Sequence, residues 1–256
     1  MLEINPICGF NDNYLWCLTT ANSSDAIVVD PGDAELVARY LDEQCKTLSA
    51  IVITHHHWDH TDGVPALVER YQVPVYGPAN CTFKGITHPL QDGQEIELLG
   101  QPFKVKAVPG HTLDHICYYS AQGAQLLCGD MLFLAGCGRV FEGSMQQMLT
   151  AMQFFKGLAA QTKVYATHEY SLANLAFAQA VEPENTAVAD AITRCTHLRR
   201  QGLPTLPSSI AAECQHNPFL RTDNEALKAT LEMRTASVLT DEVAVFSALR
   251  QWKDTF

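Results

Sequence analysis

The run Thr54-His55-His56-His57-Trp58-Asp59-His60 sets four candidate metal ligands, His55, His57, Asp59 and His60, within six residues. Imidazole nitrogens and a carboxylate at this density suit divalent cations such as zinc, iron or manganese. In extended chain, side chains two apart share a face, so His55 and His57 can aim at one ion. Asp59 and His60, past a bend, can reach a second. Three further candidates sit at segment ends: His111 in Pro109-Gly110-His111-Thr112, Asp130 in Cys128-Gly129-Asp130, and His168 in Ala166-Thr167-His168-Glu169-Tyr170. Seven ligands exceed the need of one tetrahedral ion. They suit two, with His55, His57 and His111 on one ion, Asp59, His60 and His168 on the other, and Asp130 between. One carboxylate can span ions about 3.5–4 Å apart. Bound to zinc, water falls from a pKa of about 15.7 toward ~7. Such a site would carry a bridging hydroxide, held by Asp59 and Asp130, and would stabilise an oxyanion developing on a carbonyl. Esters, thioesters, amides and phosphodiesters all lie within that chemistry, and no Gly-x-Ser-x-Gly nucleophile elbow competes with it.

These side chains need rigid elements beneath them. Apolar and β-branched runs predict strands over 2–7, 13–20, 26–30, 50–53, 73–76, 94–98, 102–108, 116–120, 125–129 and 163–167. Helical spacing marks 34–45, through Leu36, Val37, Tyr40 and Leu41, and a second stretch through Val64, Leu67, Val68 and Tyr71. Ser144, with Gln147 three residues on, predicts a capping box heading a helix whose core face is Met148, Met152 and Phe155. Beyond 168 helices dominate, at 171–181, 184–201, 223–233 and 241–253, with Pro183 in a first turn and Gly202 at an end. The expectation is an α/β fold with a helical C-terminal domain, divided as 1–167 and 168–256. The candidate ligands fall where predicted strands give way to loops.

The chain has 256 residues, 47% hydrophobic and 18% charged, enough to bury a good core. A formal charge of -11 argues against binding nucleic acid through a basic field. No apolar run approaches the ~20 residues of a membrane span. The opening Met1-Leu2-Glu3-Ile4-Asn5-Pro6 lacks a basic and then apolar leader, so no membrane partner and a cytoplasmic setting are expected. Nine scattered cysteines include no Cys-x-x-Cys pair, and most of them read as small buried hydrophobes. A monomer is expected.

Taken together, Thr-His-x-His-x-Asp-His, Gly-His-Thr, Gly-Asp and a late His resemble the metallo-β-lactamase superfamily pattern. Three further segments are similar to glyoxalase II, the hydroxyacylglutathione hydrolases. They are Gly136-Cys137-Gly138-Arg139-Val140-Phe141-Glu142-Gly143, His168-Glu169-Tyr170 with Asn174-Leu175, and Asn217-Pro218-Phe219-Leu220-Arg221. The resemblance runs from about Asn11 into the C-terminal region. It implies a four-layer αββα sandwich with a helical C-terminal substrate-binding domain and two divalent ions per chain, zinc first, iron or manganese otherwise. It implies hydrolysis of S-D-lactoylglutathione to D-lactate and glutathione, in methylglyoxal detoxification. It also implies that Arg139 to Phe141, Tyr170 and Arg221 contact the glutathione moiety, whose carboxylates suit arginine's fork. His115 is expected to hydrogen-bond behind a ligand.

Asp62 and Asp114 depart from the family pattern, which usually has glycine at both places, and Met131 stands where it usually has threonine. Some members carry tyrosine at Phe141, and Thr222-Asp223-Asn224 offers no second basic residue past Arg221. The added carboxylates bear on hydrogen bonds behind the ligands or on metal preference. His56 and Trp58 are expected to face away from the ions, His88, His197 and His216 to fill surface or satisfied polar roles, and Gly136-x-Gly138 to form a tight turn. A mononuclear-iron persulfide dioxygenase would need only His55, His111 and Asp130, and leaves Asp59, His60 and His168 unexplained. A non-catalytic protein with a structural metal would show a closed four-ligand site.

Overall fold

Alternating apolar residues in the N-terminal part build one continuous sheet. The computed structural model describes residues 2–256. Its strands run in sequence order across the sheet: β1 (Leu2–Gly9), β2 (Asn13–Thr20), β3 (Asp25–Val29), β4 (Thr47–Val52), β5 (Val75–Pro78) and β6 (His88–Leu90). β1 to β3 are antiparallel neighbours, and β3 to β6 run parallel. Parallel pairing requires crossovers, supplied by α1 (Ala34–Glu43) and by α2 (Trp58–Thr61) with α3 (Val64–Tyr71). An antiparallel meander follows, of β7 (Glu95–Leu98), β8 (Gln101–Ala107), β9 (Ile116–Ser120) and β10 (Gln125–Gly129).

Leu15, Cys17, Ala26, Val28, Ile51 and Ile53 line one core with Val37 and Leu41 of α1 and Val64 and Leu67 of α3. The period of two is what a half-buried strand face requires. Leu48 joins the same core although it stands three positions before Ile51, an odd spacing. The register between β3 and β4 slips at Ala26/Ile27, where Leu48 and then Ala50 are the partners, and this bulge lets Leu48 and Ile51 both face inward. Each such leucine, isoleucine or valine contributes about 1.5–3 kcal/mol by burial. Asp33 starts α1, its Oδ1 accepting from the Glu35 and Leu36 amides at 3.0 Å. A cap of this kind is worth about 1 kcal/mol.

These elements, with the chain up to Val108 and Asp114–Gly129, form one packed unit; Pro109–Leu113 and Asp130–Phe256 form a second. The second holds a two-stranded hairpin, β11 (Leu132–Phe133) with β12 (Gly136–Cys137), then α4 (Met145–Lys156) and β13 (Lys163–Ala166), which pairs with β14 (Ser208–Ser209). Its helices continue as α5 (Ser171–Val181), α6 (Thr186–Arg200), α7 (Ile210–His216), a 3₁₀ turn at Pro218–Leu220, α8 (Glu225–Thr235) and α9 (Glu242–Asp254). Phe155, Phe177, Phe219 and Phe246 are fully buried among them. The capping box at Ser144 and Gln147 is present, and Met148 and Met152 are buried.

The α/β class and the helical C-terminal region match expectation. One boundary needs correcting: α6 starts at Thr186 under an Asn185 cap, so Pro183 precedes the helix instead of entering its first turn. Among the described residues, no helix is long and apolar enough to cross a membrane.

Candidate metal centre

In the first unit the histidine-rich loop leaves the carboxyl end of parallel strand β4, the end at which open α/β sheets present ligands. Asp30, just past the end of neighbouring β3, anchors it. Its carboxylate accepts from the Thr54 amide at 2.7 Å and the Thr54 hydroxyl at 2.8 Å. Asp30 Oδ2 also lies 3.0 Å from His60 Nδ1. The Asp30 backbone is left-handed, at φ 52, a conformation aspartate tolerates better than most residues. Downstream, the Thr61 hydroxyl donates to the His57 carbonyl at 2.9 Å.

Within this frame His55 Nε2 and His57 Nδ1 face each other at 2.9 Å. Asp59 Oδ2 accepts from Asn13 Nδ2 at 3.0 Å and lies 3.5 Å from His60 Nε2. His55 and His60 are fully buried. A Cβ at Gly32 would stand 2.0 Å from the Asp59 carbonyl oxygen. Only glycine lets the Pro31-Gly32 turn close on the ligand loop. The His115 ring stacks on His55, with centroids 4.6 Å apart and planes at 18°. His56 turns to Asp114 at 3.0 Å. Trp58 is 61% exposed and meets Phe10 edge-on.

The second unit brings together His111, Asp130 and His168. Asp130 Oδ2 lies 3.5 Å from His111 Nε2 and 3.2 Å from His168 Nε2. His111 Nδ1 donates to the Arg139 carbonyl at 2.7 Å, which fixes the tautomer and leaves the Nε2 lone pair for a cation. The His111 carbonyl accepts from the Phe141 and Glu142 amides, and Gly110 O from Gly143 N, so the loop at 109–113 is laced to 139–143. A Cβ at Gly138 would fall 2.0 Å from the Asp130 carbonyl oxygen, so close approach of the backbone, more than a tight turn, calls for this glycine.

The donors in each unit fit a divalent cation. Two ligand bonds of 2.0–2.1 Å at a tetrahedral angle separate their donor atoms by about 3.3 Å. The pairs at 2.9, 3.5, 3.2 and 3.5 Å lie around that value.

Of the expected substrate contacts, Arg139, Phe141 and Tyr170 are exposed on the second unit. The Arg139 guanidinium lies 5.9 Å from the Phe141 ring centre and 3.5 Å from Asp254. Tyr170 stacks on His168, centroids 4.7 Å apart and planes 4° apart. Arg221 is engaged elsewhere. Its Nε and Nη2 donate to the Glu182 carboxylate at 2.8–3.2 Å and its Nη1 to the Cys214 carbonyl. The Glu182 hydrogen bond holds the guanidinium pKa above its ordinary value.

Asp30, Glu213 and Arg250 help build the site without a signal for that role in the sequence, and Asn174 and Asn217 were visible only as parts of the family-like segments. Asp30 was legible only as the end of a strand before a turn. Glu213, fully buried, accepts from the Ala135 amide at 2.9 Å, Asn217 Nδ2 at 3.0 Å, His216 Nε2 at 3.2 Å and the Ser208 hydroxyl. Asn217 Nδ2 also donates to the Phe133 and Gly136 carbonyls, and Asn174 to Leu134 O. Together they hold the β11–β12 hairpin, which starts two residues past Asp130. Arg250 of α9 donates to the Cys137 carbonyl at 3.0 Å. Burial raises the Cys137 thiol pKa to about 11.

Comparison with known proteins adds an independent line. Residues 15–168 match the family model described as the metallo-beta-lactamase superfamily, and residues 169–256 the model described as the hydroxyacylglutathione hydrolase C-terminus. A protein of Pseudoalteromonas translucida named hydroxyacylglutathione hydrolase is 49% identical, with 100% of both chains covered. Namesakes from Shewanella pealeana and Nitrosomonas eutropha are 46% and 43% identical, again with both chains fully covered. Among solved structures, ETHE1 from Myxococcus xanthus superposes with a TM-score of 0.66 at 24% identity, covering 100% of this chain and 99% of its own. The BLEG-1 B3 metallo-beta-lactamase gives 0.63 at 23% identity, covering 86% and 99%. At those identities the two structures establish a shared fold, the metallo-β-lactamase fold.

Proposed function

The chain belongs to the hydroxyacylglutathione hydrolases of the metallo-β-lactamase superfamily, and on that footing we propose how it hydrolyses its thioester. The substrate is S-D-lactoylglutathione and related S-2-hydroxyacylglutathiones; the products are the 2-hydroxy acid and glutathione, in methylglyoxal detoxification. Two divalent ions serve the reaction. His55, His57 and His111 hold one, Asp59, His60 and His168 the other, and Asp130 is shared. Zinc suits these nitrogen and oxygen donors, with iron or manganese where those are the available metals. When bound, such cations bring water toward ionisation at neutral pH and polarise a carbonyl.

The protein's own groups do the rest. The Asp30 carboxylate fixes the head of the ligand loop through Thr54. The Arg139 carbonyl holds the Nδ1 proton of His111, so that ring presents only a lone pair inward. Asp59 and Asp130 accept hydrogen bonds from the attacking water and aim it at the thioester carbon. As the C–O bond forms and the C–S bond breaks, the sulfur leaves with the bonding pair; one proton of the water ends on it, giving glutathione, and the other passes to solvent as the 2-hydroxy acid ionises. Arg139 offers an exposed guanidinium to a glutathione carboxylate, and Phe141 and Tyr170 offer ring faces to its backbone. Arg221, already gripping Glu182, serves that subsite by bracing it, and meets a substrate carboxylate only by exchanging partners. His115 supports His55 from behind by stacking.

Residues 1–167 act as the catalytic domain and 168–256 as the substrate-binding domain, a division supported by the change of family model at 168/169. The protein works as a cytoplasmic monomer without nucleic-acid or membrane partners, in keeping with its charge of -11. The observation that carries the metal reading is Asp130 Oδ2, faced by the Nε2 atoms of both His111 and His168. Full-length relatives named as hydrolases favour this chemistry over persulfide oxidation. Elemental analysis of freshly purified protein alongside a thioesterase assay tests it. Two metal equivalents and activity lost to a chelator but restored by zinc, iron or manganese are expected; no cleavage with any of the three would refute it.

A further inference from the structure

The surroundings of Asp114 give its carboxylate a task. The carboxylate is 5% exposed. A carboxylate so placed needs partners to offset its lost hydration. One partner is His56, whose Nδ1 donates to Asp114 Oδ1 at 3.0 Å. Beside it, burial and the nearby Asp114 carboxylate push the Cys81 thiol up to about 12.

His56 stands between two candidate ligands. The ring that meets Asp114 is turned away from its neighbours His55 and His57, which converge, Nε2 to Nδ1, at 2.9 Å. The loop is tied upstream by Asp30 to Thr54 and downstream by the Thr61 hydroxyl to the His57 carbonyl. The His56–Asp114 bond ties it in the middle, at the residue whose backbone sets the angle between the two imidazoles.

We propose that Asp114 is a positioning residue. Through His56 it fixes the main chain between His55 and His57, so their ring nitrogens are held for a divalent cation before the cation arrives. The idea rests on His55 and His57 being metal ligands. Removing a hydrogen-bond partner behind a ligand typically costs about 10- to 100-fold in metal affinity. His56 is one bond path further out than such a partner, so the low end of that range applies.

The test is zinc affinity by competition with a chromogenic chelator. Asp114→Ala is expected to weaken binding about tenfold. Asp114→Asn keeps an acceptor oxygen for His56 Nδ1 and is expected to retain wild-type affinity. Asp114→Ala made in a His56→Ala background is expected to cause no further loss, because the path through the ring is already gone. Wild-type affinity in Asp114→Ala, or losses from the two alanine variants that simply add, would overturn the proposal. Wild-type protein that binds no zinc would instead refute the ligand assignment beneath it, so the two failures are distinguishable.

Discussion

Asp130 and Arg221 are two charged side chains held in very different settings. Asp130 presents one oxygen to two imidazoles, so Asp130→Ala is expected to lower the content of both metals by elemental analysis. Arg221 has its fork in Glu182, so Arg221→Ala should leave both metals bound. Its cost should appear in urea unfolding as about 1–3 kcal/mol, the range for losing hydrogen bonds to a charged group that is mostly buried. Metal loss of equal size in both variants would contradict the separation. The ligand loop was legible because its residue types announce themselves within one short run. The Glu182 partner of Arg221 was not, because it lies 39 positions away.

The elements that position these residues rely on a few buried polar side chains. Asn217 alone donates to two hairpin carbonyls and contacts Glu213. Asn217→Ala strands those acceptors in a site closed to water and is expected to cost about 2–3 kcal/mol in chemical denaturation. At the end of α4, Lys156 meets Asp223 at 2.7 Å. That hydrogen bond, opposed by partial burial, holds the Asp223 carboxyl below its ordinary pKa. The resulting stabilisation is present above the usual carboxylate range and fades as pH falls through the lowered pKa of the folded state. Lys156→Ala should return Asp223 toward ~3.9, as followed by the pH titration of its carboxyl carbon by NMR. Most strands and helices could be read from periodicity, because their inward faces are apolar. α7 could not: its buried residues are Ile210, Glu213 and His216, and a helix whose inner face carries a carboxylate and an imidazole shows no apolar stripe. β6 is three residues long and centred on Pro89, too short to show alternation.

Across the whole molecule the nine cysteines sort by depth, as their apolar settings suggested for most of them. Cys17, Cys117, Cys128, Cys137 and Cys195 are buried, whereas Cys8 and Cys45 are exposed. Burial raises the Cys17 thiol pKa to about 12 and that of Cys137 to about 11, and the thiolate is the reactive form. A thiol reagent should therefore modify Cys8 and Cys45 promptly in native protein and reach the five buried thiols only after denaturation. Rapid native labelling of Cys137 would contradict its placement. The division of the chain has a consequence for biogenesis. Pro109–Leu113 packs with residues that begin at Asp130, and its backbone partners lie at 141–143. A ribosome delivers His111 long before those partners exist, so translation order and assembly order diverge there. A cut between Gly129 and Asp130 would strand that imidazole on the wrong fragment, and the C-terminal piece, made separately, would begin life without its own 109–113 loop.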